Sequence, residues 1–135
     1  MGVKFFISSL IALLCSASQA RTVTSIKITE SGQSRDESAM ENCRKFQPTL
    51  TQVKEFFSKA YPVEGYVLSH ERYSSCYATG VLKFSDGSGG EWKLSSSGVA
   101  TFTFSRGDTV TLFHRKNRWH DPFACSYGPR DEPEC

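Results

Sequence analysis

Three observations predict an α+β fold. One segment repeats its apolar residues at helical spacing, a downstream run repeats them at every second position between glycine turns, and no internal repeat or low-complexity tract interrupts the pattern. The expected architecture is one amphipathic helix packed on a four- to five-stranded antiparallel meander, held by two disulfides.

The helix begins at Thr49. Thr49 and Gln52 stand in the capping-box relation, in which the threonine oxygen accepts from the third helical amide and the glutamine reaches back. Leu50, Val53, Phe56, Phe57 and Ala60 follow on one face, with Lys54, Glu55, Ser58 and Lys59 on the other, and Pro62 ends the run. Beyond Pro62 the period becomes two. Ala78, Gly80, Leu82 and Phe84 share a side of a strand from Tyr77 to Phe84, and Asp86-Gly87 with Gly89-Gly90 supplies the turn. A strand from Glu91 to Ser95 presents Trp92 and Leu94. Another from Val99 to Phe104 presents Phe102 and Phe104, and Thr109 to His114 presents Val110 and Leu112. Tyr66 to Leu68 is expected as an additional edge strand. Upstream, Thr22 to Thr29 reads as extended through Val23, Ile26 and Ile28, and the polar stretch from Glu30 to Asn42 reads as a loop or spacer.

The chain of 135 residues has the length of a single domain, and its 39% hydrophobic residues suffice for a core. Its organisation reads as a cleaved signal peptide over 1–20, an N-terminal strand and polar segment over 21–42, and a disulfide-bridged α+β domain over 43–135. The leader has a basic start at Lys4, an apolar run from Phe5 to Leu14 and a small-residue exit at Ser18-Gln19-Ala20. That run is shorter than the roughly 20 residues a membrane-spanning helix needs, so no stable membrane insertion is expected. Lipidation at Cys15 is disfavoured, because Leu14 precedes it where a small residue is usual. Sixteen basic against fourteen acidic residues leave a formal charge of +2, which offers no field for nucleic acid.

Four cysteines remain after the leader: Cys43, Cys76, Cys125 and Cys135. An even number in a small exported domain reads as a disulfide framework, and the lack of a C-x-x-C spacing speaks against a zinc knuckle or a redox pair. Of the three possible pairings, Cys43–Cys76 with Cys125–Cys135 is the one expected. It clips the helix start to the sheet and closes a terminal loop containing Gly128, Pro129 and Pro133. The predicted address is periplasmic or secreted.

Candidate chemistry is sparse. His114, His120 and Asp121 lie close in sequence but without a recognised metal spacing, so no metal or other cofactor is expected. His70 and Glu71 are neighbours, and neighbours on a strand point to opposite faces. No nucleophile motif or paired acidic motif accompanies them, so no catalytic residues are assigned and an enzyme is not the leading expectation. Arg106-Gly107-Asp108 matches a short adhesion motif, yet a glycine between two strands is what a turn requires. The segment Arg115-Lys116-Asn117-Arg118-Trp119 is basic with an aromatic neighbour. Together with His120, Asp121, Phe123 and Tyr127 it reads as a contact surface, because Trp, Tyr and Arg dominate interface energetics, or else Trp119 and Phe123 cap the end of the sheet. Arg118, Trp119, His120, Asp121 and Tyr127 are the partner-binding residues this reading nominates.

Cys43-x-x-Phe46, Thr49-x-x-Gln52-Val53-x-x-Phe56-Phe57, Ser75-Cys76-Tyr77-Ala78-x-Gly80 and Phe84-x-Asp86-Gly87-x-x-Gly90-x-Trp92 together resemble small exported proteobacterial proteins, mostly of unassigned function. The resemblance implies a cysteine-bridged periplasmic α+β domain and, by analogy, an immunity protein or enzyme inhibitor that occludes a partner toxin or enzyme. It implies no catalytic residue. The alternatives are a small envelope enzyme using His70, Glu71, His114, His120 or Asp121, and a structural subunit of an envelope assembly that lends its Thr22 to Thr29 strand to a neighbour.

Overall fold

The computed structural model describes residues 22–127. The expected leader over 1–20 and Cys135 lie outside them.

Thr49 starts the main helix as its sequence dictates. The Gln52 amide donates to Thr49 Oγ1 at 3.1 Å, and the Thr49 amide donates to Gln52 Oε1 at 2.9 Å. The helix α2 spans Leu50–Lys59 and follows a single short turn, α1, at Met40–Cys43. Val53 and Phe56 are fully buried on its inner face while Leu50 is half exposed. Burying each of those side chains stabilises the fold by about 1.5–3 kcal/mol.

The strands are β1 (Val23–Ser34), β2 (Tyr61–Val63), β3 (Cys76–Phe84), β4 (Gly89–Ser95), β5 (Val99–Phe104) and β6 (Thr109–Phe113). They form one six-stranded antiparallel sheet in the order β1-β3-β4-β5-β6-β2. The meander β3 to β6 matches the period-two reading, and the α+β class holds.

Two details correct the sequence reading. The sheet has six strands rather than four or five, because β1 is an integral strand paired with β3, and its polar end Glu30 to Ser34 continues the pairing instead of forming a loop. Its register slips at three places, which is how an edge strand carrying Ser, Gly and Gln stays attached without an apolar alternation. The edge strand after the helix is Tyr61–Val63, paired with β6, and the expected strand at Tyr66 to Leu68 is instead the start of a π-helical turn at Val67–Glu71. Pro62 is tolerated there because β2 is the outermost strand. Among the described residues one disulfide is seen, Cys43–Cys76, paired as the sequence reading has it. The other expected bridge, Cys125–Cys135, has a partner outside them. The observed bridge joins α1 to β3 and closes a loop of sequence separation 33, a constraint worth about 2–4 kcal/mol.

The core fills the space between α2 and the even-numbered side of the sheet: Ala78 and Leu82 of β3, Trp92 and Leu94 of β4, Ala100 and Phe102 of β5. Phe57 meets the Trp92 ring at 5.7 Å and the Phe102 ring at 6.5 Å. Gly80 has no side chain because the Trp92 ring lies across it; a Cβ there would collide with that ring and with the Lys27 carbonyl. No helix among the described residues is long and apolar enough to cross a membrane.

Candidate functional site

Two regions could carry function. One lies at the 95–97 turn, where the segment from 114 to 127 folds back against Phe46 and Phe56; the other is the odd-numbered side of the sheet.

At the turn, the nominated contact residues divide. Arg118 and His120 are exposed, and Asp121 is half-buried, but Trp119 and Tyr127 are buried, at 8% and 3% exposure. Trp119 is wedged between Phe46, 5.8 Å away, and Phe56, 6.0 Å away, and its indole N–H donates to the Ser96 carbonyl at 2.9 Å. Neither ring therefore offers itself to a partner; both anchor the loop to the domain. The neighbourhood is polar and bonded. Ser74 and Ser96 hydroxyls meet at 2.5 Å, the Ser96 hydroxyl donates to Asp121 Oδ1 at 2.7 Å, and the Phe123 amide donates to the same oxygen at 3.0 Å. Arg72 Nε donates to the Ser97 carbonyl at 3.1 Å, and its guanidinium lies over the rings of Phe113 at 5.0 Å and Tyr127 at 4.6 Å. A cavity of about 180 Å³ remains, lined in part by Ser97, Asn117 and Asp121. Tyr127 Oη has no hydrogen-bond partner among the described residues. Burial, reinforced by the Asp121 carboxylate, pushes its phenol well above the ordinary tyrosine range.

Ser96 touches the Asp121 carboxylate, and no imidazole is among the described residues that line the cavity. His70 and Glu71 are exposed on the π-helical turn. Among the described residues no hydrogen bond joins any two of His70, Glu71, His114, His120 and Asp121, and no group of three His, Cys, Asp or Glu side chains is placed to hold a metal ion. Arg106 and Asp108 pair with each other at 2.5 Å across the exposed β5–β6 turn, where Gly107 takes a φ of +108°. Glycine is there for the turn.

The odd-numbered face of the sheet is different. Thr79 and Val81 of β3, Glu91 and Lys93 of β4, and Thr101 and Thr103 of β5 form a groove of about 460 Å³ with Thr29 and Glu30 of β1 at its border. The cross-strand pairs Val81 with Glu91, Thr79 with Lys93, Lys93 with Thr101 and Glu91 with Thr103 fix every side chain on rigid backbone. Thr29 and Thr79 hydroxyls meet at 3.0 Å, and Thr103 and Thr109 at 3.1 Å.

At the end of this groove nearest the closed turn, two cations share one ring. Lys93 Nζ lies 4.0 Å and Arg35 Cζ 5.2 Å from the centre of Tyr77. The Arg35 guanidinium donates to the Ser74 carbonyl at 3.0 Å, and its backbone amide donates to the Ser75 carbonyl at 2.9 Å. Partial burial, and secondarily the nearby Arg35 charge, lowers the Lys93 ammonium from its ordinary value. Burial also lowers Arg35, while the Tyr73 and Tyr77 phenols act in the opposite sense. The sequence pattern had assigned the even-numbered residues of β3 to the core. The odd-numbered ones, Tyr77 among them, were the available sign of this second surface.

Comparison with protein-family models, with curated proteins and with solved structures finds no match to this chain.

Proposed function

We propose that this chain is an exported protein-binding module of the immunity or inhibitor type, periplasmic or secreted, which occludes a partner toxin or enzyme with the open face of its sheet. The observation that carries the reading is that helix α2 covers one side of the sheet only. The other side is a rigid, in-register surface with a groove across β3, β4 and β5. A surface already ordered before binding loses little conformational entropy when a partner docks, which is what an occluding protein needs. The Cys43–Cys76 bridge supports an oxidising compartment. Arg118 and His120, exposed on the anchored loop, form a second patch that the same partner could reach only from the side.

Site-specific photo-crosslinking in the envelope of the producing cell tests this. A photoreactive residue at Thr103, in the groove, is expected to trap one protein partner, whereas the same residue at Lys54, on the outer face of α2, traps none. Crosslinking of the same set of proteins from both positions, or none from Thr103, overturns the assignment of the open face. Intact mass after alkylation tests the address: the expected product lacks residues 1–20 and takes up no label at Cys43 or Cys76.

A further inference from the structure

The cluster of Arg35, Tyr77 and Lys93 is arranged in a way that stability does not require. Two positive side chains converge on one ring, and the like-charge proximity opposes the charged form of Lys93. Among the described residues neither cation forms an ion pair with a carboxylate; Arg35 spends one N–H on the Ser74 carbonyl, and Lys93 makes no hydrogen bond. Tyr73 stands within electrostatic reach of Arg35 and is 51% exposed. Arg and Tyr are the residue types that concentrate binding energy at interfaces. Here the arginine is held by a backbone carbonyl and the tyrosine by its strand, so little freedom is left to lose.

We infer that Arg35, Tyr73, Tyr77 and Lys93 form the anchoring subsite for a carboxylate side chain of an acidic partner protein. The inference rests on the protein-binding reading above and names the chemistry of the partner. A carboxylate at the solvent edge of the Tyr77 ring would accept from the N–H groups of Arg35 that the Ser74 carbonyl leaves unused and from the Lys93 ammonium. It would also relieve the repulsion between the cations, so the gain appears only on binding. Charge complementarity selects the occupant: among the described residues the open face carries Lys27, Lys83, Lys93 and Arg35 against only Glu30, level with Thr79 beside Lys93, and Glu91, two residues before Lys93 on β4, and neither acid pairs with Lys93 or Arg35.

The test titrates the oxidised, isotope-labelled protein with a short polyglutamate peptide at low ionic strength and follows amide and side-chain resonances. Shifts are expected to concentrate at Arg35, Tyr73, Tyr77 and Lys93. The double variant Arg35→Gln/Lys93→Gln is expected to lose about tenfold in affinity, the scale of one charge-assisted contact. The double variant Lys27→Gln/Lys83→Gln, which removes the same charge from the same face, is expected to bind as the parent does. Equal losses in both variants, or shifts spread over all surface lysines, overturn the subsite. Inorganic phosphate is the second probe: if it shifts the same four residues at the same concentration as the peptide, the site is a general oxyanion site and the assignment to a protein carboxylate fails. The two readings fail separately. A Thr103 crosslink that survives Arg35→Gln/Lys93→Gln removes the subsite and keeps the binding face; local peptide binding without any crosslinked partner does the reverse.

Discussion

Around the 95–97 turn, the five buried serines, Ser74, Ser75, Ser95, Ser96 and Ser97, all have hydroxyl contacts inside the protein. Across the groove of the same sheet, threonine hydroxyls bond only to one another at the surface, and two cations lie against the Tyr77 ring. Both regions are polar, yet the first is closed by Trp119, Arg72 and Tyr127 and the second is left open. The difference teaches where to look for each kind of free energy. Buried polar groups that are already paired hold the fold, and removing one partner leaves the other unsatisfied. Polar groups that stay wet, or that are held against like charge, contribute little to stability and remain available to a partner.

The sharpest way to break this comparison is at Trp119. Trp119→Ala removes a ring packed on Phe46 and Phe56 and leaves the Ser96 carbonyl without its indole donor. A loss of about 3–5 kcal/mol is expected from urea unfolding, against a change within about 0.5 kcal/mol for Thr103→Ala on the open face. A mild Trp119→Ala phenotype would return that ring to the surface, where the sequence reading had put it.

Next in size is the disulfide. Cys43→Ser/Cys76→Ser is expected to cost about 2–4 kcal/mol by the same measurement, because the bridge restrains the unfolded chain and ties α1 to β3. Binding of polyglutamate by the folded fraction is expected to persist, since Cys76, although next to Tyr77 on β3, is buried in the core while Tyr77 points to the opposite face.

Smaller again is the effect of Tyr127→Phe. Its phenol oxygen is buried without a partner among the described residues, so deleting it removes a desolvation penalty, and a change no larger than about 1 kcal/mol in either direction is expected near neutral pH. The pH dependence is the more telling readout. The folded phenol titrates above its ordinary value of 10, so the native state holds its proton after the unfolded chain has released it. Stability is therefore fully present below pH 10 and falls as pH rises above it. Tyr127→Phe is expected to abolish that alkaline decline in thermal midpoint.

These contrasts also mark what the sequence could and could not disclose. The helix and β3 to β6 were legible because capping chemistry and one-sided burial write a period into adjacent residues. Thr49 with Gln52, and Ala78 with Leu82, are local signals. The polar end of β1 left none: an edge strand with three register slips needs no alternation, and Gly32 at a φ of +63° reads in sequence as a loop. Trp119 looked like a surface anchor because its depth depends on Phe46 and Phe56, far away in the chain. The Arg35, Tyr77 and Lys93 corner was invisible for the same reason, since three different segments meet there only after the sheet has formed.

The smallest effect belongs to Lys93, and it separates a binding residue from a structural one. Folding lowers the Lys93 ammonium from its ordinary 10.5, mainly by burial and then through Arg35. The unfolded chain therefore binds more protons in the window between the lowered value and 10.5, and within that window stability rises with pH. Below it the cost of holding the charged form is present in full. Lys93→Gln should accordingly leave the thermal midpoint at neutral pH unchanged or slightly higher, and should flatten the rise toward alkaline pH. Because Tyr127 acts in the opposite sense from pH 10 upward, overlapping the top of that window, the comparison is cleanest when Lys93→Gln and its parent are both built on Tyr127→Phe. A lowered midpoint for Lys93→Gln would mean that the contact with Tyr77 stabilises the fold, and the corner would then belong with the closed end of the sheet. An unchanged or raised midpoint together with lost polyglutamate binding leaves a cation whose presence only a partner explains.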